Sequence, residues 1–123
     1  MKPIHLFTIA LTILLTVALL SSSPTPDYVG IVEWIVDGDT IIMDNGVHVR
    51  LLDINTPELN TSEGVAARSF MINLVYNKTV SLFCDGYDKY DRWLCTVVLD
   101  GINVGSVLVA RGLARYWVNY STT

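Results

Sequence analysis

Seventeen consecutive uncharged residues, Ile4 to Leu20, decide how much of this chain is left to fold. The run is rich in Leu, Ile, Val, Ala and Thr; the positive start Met1-Lys2 precedes it and Ser21-Ser22-Ser23 follows it. That order is the layout of an export signal. The run is somewhat long for the apolar part of a signal and somewhat short for a spanning helix, which needs about 20 residues. Two readings of residues 1–23 therefore stand: a signal peptide that is cleaved, or an N-terminal membrane anchor that is retained. Both put the remainder outside the cytoplasm, either secreted or tethered to the membrane. Residues 24–27 read as a Pro-containing linker, so the folded domain is expected over residues 28–123. Roughly 95 residues bury one small core and leave room for one active site.

Beyond Lys2 the chain carries seven basic and twelve acidic side chains, a net charge of −5. A protein that coats nucleic acid electrostatically needs the opposite balance, so any polyanion must be gripped locally. Cys84 and Cys95 lie 11 positions apart on either side of an Asp/Gly/Tyr-rich turn. In an exported chain they read as a disulfide, the alternative being two free, half-buried thiols facing each other across a hairpin. No His or further Cys lies near enough in sequence to complete a metal site with them.

The order of elements can be read from β-branched runs and turn residues. Tyr28 to Val36 and Thr40 to Met43 are strand-like and separated by Asp37-Gly38; Asp44-Asn45-Gly46 then turns the chain into a third strand, Val47 to Ile54. Val65 to Tyr76 carries an imperfect helical stripe of Val65, Ala66, Ser69, Phe70, Ile72, Leu74 and Val75. Thr79 to Cys84 and Trp93 to Leu99 read as a second hairpin, and Val104 to Ala114 as a second helix after the turn Asp100-Gly101. The expected class is α+β, mainly β. Its order suits a five-stranded OB-type Greek-key barrel with two helices, one of them between the third and fourth strands. Such barrels serve many unrelated functions, so function has to be argued from side chains.

Three clusters carry chemistry-bearing groups. In the first, Asp37-Gly38-Asp39-Thr40 sets two carboxylates around a glycine at a strand junction, where oxygens can converge on a hard cation; a solvated turn is the commoner use of such a sequence. In the second, Arg50 shares a strand face with Leu52, and by alternation with Ile54. A cation among apolar neighbours needs an anion, either a structural carboxylate or a ligand phosphate held through two hydrogen bonds. Asn55-Thr56-Pro57-Glu58 then leaves the strand in a turn that brings further oxygens beside the first cluster. The third cluster, Asp88-Lys89-Tyr90-Asp91-Arg92-Trp93, is by itself a charged hairpin with an arginine at the start of a strand.

Taken together, VDGDT, then RLLDINTPE ten residues later, then KYDRWL and LVARGLA resemble the thermonuclease (staphylococcal nuclease) family in order, spacing and residue type from Tyr28 to about Tyr120. The resemblance implies the OB barrel and a calcium-dependent nuclease that hydrolyses phosphodiester bonds of DNA, with RNA as a further candidate and little sequence specificity. Residue by residue it implies that Asp39 ligates Ca2+ and that Thr56 does so through its backbone carbonyl. It makes Glu58 the glutamate beside the attacking water and Arg50 and Arg92 the two phosphate-binding arginines. Lys89 and Tyr90 fall at nucleotide-contacting positions, and Asp37 is the outer acid of its turn.

The chain departs from the family at three points. Where well-known members have a second calcium-binding aspartate, Asn55 offers an amide oxygen without charge. The link from Glu58 to the first helix is short and lacks a basic loop that some members hold over the nucleic acid. The sequence given ends at Thr123, and a third, C-terminal helix is expected to be absent. These departures support an alternative: a weak or inactive nucleic-acid-binding OB module. A monomer is expected, touching membrane only through the N-terminal segment if that is retained.

Overall fold

Strand β1, Tyr28–Asp37, is long enough to serve two neighbours, and a bulge lets it do so. Its first half, Tyr28 to Ile31, pairs antiparallel with β5 (Thr79–Tyr87), and its second half, Val32 to Asp37, pairs with β2 (Thr40–Met43). Between Val32 and Trp34 the register slips, so Glu33 and Trp34 are both exposed and Ile35 returns to the interior. One unpaired residue of this kind bends a strand and raises its twist, which a small barrel needs in order to close. The computed structural model describes residues 23–117. The signal or anchor expected before Ser23 and the chain end beyond Trp117, where the third helix was at issue, lie outside the described residues. No helix among the described residues is long and apolar enough to cross a membrane.

The turn Asp44-Asn45-Gly46 leads β2 into β3 (His48–Leu51), with the Met43 amide donating to the Val47 carbonyl at 2.9 Å. β3 then lies parallel to β6 (Trp93–Leu99), pairing Val49 with Trp93, Arg50 with Leu94 and Leu51 with Cys95. Because β5 and β6 form an antiparallel pair and β5 also borders β1, the circuit β1-β2-β3-β6-β5 closes into the expected five-stranded barrel. Its interior is filled by Val32, Ile35, Ile41, Met43, Val49, Leu82 and Val97, joined by Met71 and Leu108 from the two helices.

The third strand is shorter than its sequence suggests. It breaks at Leu52-Asp53, where Asp53 takes a left-handed φ of 64°, and β4 (Ile54–Asn55) is a separate two-residue strand paired with β8 (Arg115–Tyr116). The break also reverses the alternation: Ile54 is buried in the core instead of continuing the face of Arg50 and Leu52. Helix α1 spans Ser62–Val75, starting three residues before the expected point because Thr61 caps it, accepting from the Gly64 amide at 3.0 Å. Its buried stripe is Gly64, Ala67, Met71 and Val75, whereas Val65, at 52% exposure, faces out. The apolar residues of α1 are spread too evenly for periodicity alone to choose the buried face.

A further short strand, β7 (Ile102–Asn103), pairs with β6 ahead of α2, Val104–Ala110. α2 stops four residues before the expected Ala114. Gly112, at φ 71°, donates to the Val109 carbonyl and Leu113 to that of Leu108, the double bond pattern that ends a helix on a left-handed glycine.

Cys84 and Cys95 are disulfide-bonded across the β5–β6 ladder, where they are direct partners. The bridge closes a loop spanning 11 positions. Chain-entropy estimates for loops of this size give about 2–4 kcal/mol. Replacing both cysteines by alanine should therefore lower the unfolding free energy by about that amount in urea titration, with the barrel's circular dichroism retained.

Candidate active site

The Asp37-Gly38-Asp39 turn between β1 and β2 is held by its own outer acid: the Asp39 amide donates to Asp37 Oδ1 at 3.1 Å. Gly38 is buried where the turn seats against α1, and a Cβ there would lie 2.8 Å from both the Ala67 Cβ and the Thr56 Cγ2. That close approach drives the Asp39 carboxylate inward, where only 6% of the residue is exposed. Its Oδ2 accepts from the Thr56 amide and the Thr56 hydroxyl, both at 3.0 Å, and lies 3.3 Å from Arg50 Nη2. The Thr40 hydroxyl donates to Oδ1 at 3.3 Å. Asp39 is thus a buried acid whose charge is balanced by an arginine and by hydrogen bonds.

Arg50 is held by the break in its own strand. Its Nη1 donates to the carbonyls of Leu51 at 2.6 Å and Ile54 at 2.9 Å, two groups that the turn at Asp53 curls onto one guanidinium edge. Its Nη2 donates to Asn55 Oδ1 at 3.1 Å while facing Asp39. The anionic partner that the sequence demanded for this cation is therefore Asp39.

The second arginine is tied down in a different way. Arg92 Nε donates to Asp88 Oδ2 at 2.7 Å, and the amides of Tyr90 and Arg92 donate to Asp88 Oδ1 at 2.9 and 3.0 Å. The guanidinium stacks 5.1 Å from the Tyr90 ring centre, Lys89 lies 5.2 Å from the same ring, and Arg92 Nη1 reaches the Thr40 hydroxyl at 3.4 Å. Arg50 and Arg92 both line one open cleft of about 360 Å³, together with Leu52, Asp88, Leu94 and Trp117. A larger hollow of about 460 Å³ borders Asn55 and Thr56 but holds neither arginine.

The local field follows from these contacts. Burial raises the Asp37 carboxyl above the usual carboxylate range, and the hydrogen bond to Asp39 and the repulsion from its charge push the same way. Burial also works to raise Asp88, but the Arg92 and Tyr90 amides and the Arg92 guanidinium outweigh it and hold the carboxyl low. The first pair is thus a place where added positive charge would be favourable.

The structure brings Asp39, Arg50, Asn55 and Thr56 into direct contact and links Arg92 to them through Thr40. Lys89 and Tyr90 stand beside Arg92. Glu58 lies three residues beyond Asn55, exposed, with its backbone carbonyl accepting from the Thr61 amide and hydroxyl. Among the described residues no group of three His, Cys, Asp or Glu side chains converges. The donors at this point are instead mixed oxygens, the Asp39 carboxylate and Asn55 Oδ1, with the Thr56 amide and hydroxyl hydrogen-bonded to the former. That donor chemistry suits a hard cation, and the two oxygens already face one shared nitrogen of Arg50. Sequence reading gave no role to Asp88 or Thr40. The Asp-x-x-x-Arg spacing across a turn is the signal that could have found Asp88.

The family described as staphylococcal nuclease homologue matches residues 48–123. An uncharacterized endonuclease of Escherichia coli O157:H7 is 37% identical over 100 residues, which cover 78% of this chain and 65% of that protein. An uncharacterized endonuclease of Haemophilus influenzae is 33% identical over 91 residues, covering 71% and 51%. A micrococcal nuclease of Shigella flexneri is 31% identical over 117 residues, covering 82% and 67%. The chain spans about half to two thirds of the length of the first of these curated relatives.

The Thr56 hydroxyl serves Asp39 from within a packed turn, so Thr56→Val should keep the shape and lose one charge-assisted bond. We expect a loss of about 1–3 kcal/mol in unfolding free energy, measured by urea denaturation.

Proposed function

This chain belongs to the staphylococcal nuclease family, and from that premise we propose that it is a calcium-dependent nuclease that cleaves DNA, and RNA as a second substrate, with little sequence preference. The observation that carries the reading is the cleft shared by Arg50 and Arg92, with the buried Asp39 in contact with Arg50. Two guanidinium groups lining one small cleft are suited to a phosphate, and contacts to phosphate carry no base identity.

Hydrolysis of a phosphodiester adds negative charge at phosphorus as water attacks in line and the opposite P–O bond breaks. Asp39, Asn55 and the Thr56 carbonyl would hold Ca2+, which when bound supplies Lewis-acid stabilisation of a phosphate oxygen. Arg50 and Arg92 draw the phosphate into the cleft and stabilise the charge that develops on its oxygens. The exposed Glu58 carboxylate takes the proton of the attacking water as general base, and Arg92 supports the departing oxygen. Lys89 and Tyr90 contact the nucleotide beside Arg92. With one carboxylate among three ligands, calcium affinity falls in the weak range of extracellular sites, about 10⁻⁴ to 10⁻³ M. That range matches the export proposed for the N-terminal segment.

Asn55 favours the second reading, a module that binds nucleic acid without turnover, because a neutral ligand shares Arg50 Nη2 with Asp39. Cleavage of single-stranded DNA by the purified protein in millimolar calcium, against a chelator control, separates the two. We expect cutting only with calcium, reduced about 10²-fold or more in kcat by Arg50→Ala, Glu58→Gln and Arg92→Ala, each with a native circular dichroism spectrum. A folded protein that binds the strand and never cuts it would leave the binding module standing.

A further inference from the structure

Asp88 is an acid in a cleft built around two arginines. Electrostatics alone would exclude it, since a carboxylate beside a bound phosphate repels it. Its two oxygens have separate tasks. Oδ1 accepts from the amides of Tyr90 and Arg92 and so shapes the loop between β5 and β6. Oδ2 accepts from Arg92 Nε, at 2.7 Å the shortest bond Asp88 makes. The Tyr90 ring covers one face of the same guanidinium, and the 3.4 Å contact from Nη1 to Thr40 is long for a hydrogen bond. One edge and one face of Arg92 are therefore fixed, and among the described residues its Nη2 has no partner. An arginine on its own loses rotamer freedom when it grips a ligand, whereas one clamped beforehand has already lost it.

We propose that Asp88 is the positioning residue for Arg92, holding its Nη1–Nη2 edge toward the cleft so that it meets the phosphate without reorganising. This inference rests on the nuclease reading for its kinetic consequence and on the geometry alone for the clamp. The role and the charge of Asp88 pull in opposite directions. As a mere negative charge near the substrate, its removal would tighten binding and leave turnover alone. As a clamp, its removal lowers kcat, because misplacing a group that acts in the transition state by about 1 Å can cost around 10²-fold.

Asp88→Asn separates the two tasks, since Oδ1 can still accept from both amides while the amide nitrogen in place of Oδ2 cannot accept from Arg92 Nε. With the full chain, calcium and single-stranded DNA, we expect kcat to fall about 10- to 100-fold with KM unchanged or lower. In an Arg92→Lys background the same substitution should cost less than about twofold more, because the partner it acts through is gone. The Arg92 Nε–H proton, read by ¹H–¹⁵N spectroscopy, should exchange slowly in the parent and fast in Asp88→Asn. An unchanged kcat, an equal loss in the Arg92→Lys background, or a proton that stays protected would each overturn the proposal. If Asp88→Asn does not fold, the Nε–H protection in the parent decides, and rapid exchange there overturns it. If the parent protein cuts nothing, the nuclease reading fails, and the proton exchange alone decides whether the clamp exists.

Discussion

A carboxylate that is almost wholly withdrawn from water must be compensated where it sits, and Asp39 is in that position. Its compensation comes from Thr40 beside it on β2 and from two parts of the chain further away in sequence, Arg50 on β3 and Thr56 in the turn after β4. The rest of the site is arranged around satisfying that one group. The β3–β4 break places two carbonyls on Arg50 Nη1, which leaves Nη2 to face Asp39. Gly38 lets the turn enter at all, since any side chain there would strike Ala67 and Thr56.

The barrel's closing seam ties this arrangement to the second arginine. β3 and β6 run parallel, with Arg50 opposite Leu94, and Arg92 stands immediately before β6 begins. The disulfide sits one pair further along, where Cys95 is at once the covalent partner of Cys84 and the ladder partner of Leu51. The seam and the bridge sit beside two cations that, among the described residues, make no direct contact and are linked only through Thr40 and Asp39. A cross-link at the root of the Arg92 loop limits how far that loop can depart from the seam, and it does so where the loop itself is mostly exposed.

The acidic balance of the chain is consistent with such a site. Under the proposed nuclease reading, two positioned arginines with Lys89 nearby would grip a few phosphates, while the remaining acidic surface repels a long polyanion. Binding of that kind is local and releases readily. Asn55 adds a neutral oxygen to the partners of Arg50 Nη2 beside the Asp39 carboxylate.

The sequence by itself determined the strands of the barrel, its hairpins and the family, because alternation, Asp-Gly turns and the VDGDT and RLLDINTPE strings are local and can be read without neighbours. It also placed an arginine in need of an anion at position 50. It misjudged the length of the third strand, the face of Ile54, the buried stripe of α1 and the end of α2. The last was legible in Arg111-Gly112-Leu113, a helix stop read as helix. The others were not legible. A left-handed turn at Asp53 costs energy in isolation; here Leu51 and Ile54 serve Arg50, and the Trp117 amide donates to the Asp53 carbonyl at 2.7 Å. Only the tertiary structure decided that Asp39 answers Arg50 and that both arginines open on one cleft. Each of these depends on contacts between strands whose pairing is fixed by closure of the barrel, and closure is a property of all five strands together that no local stretch of sequence encodes.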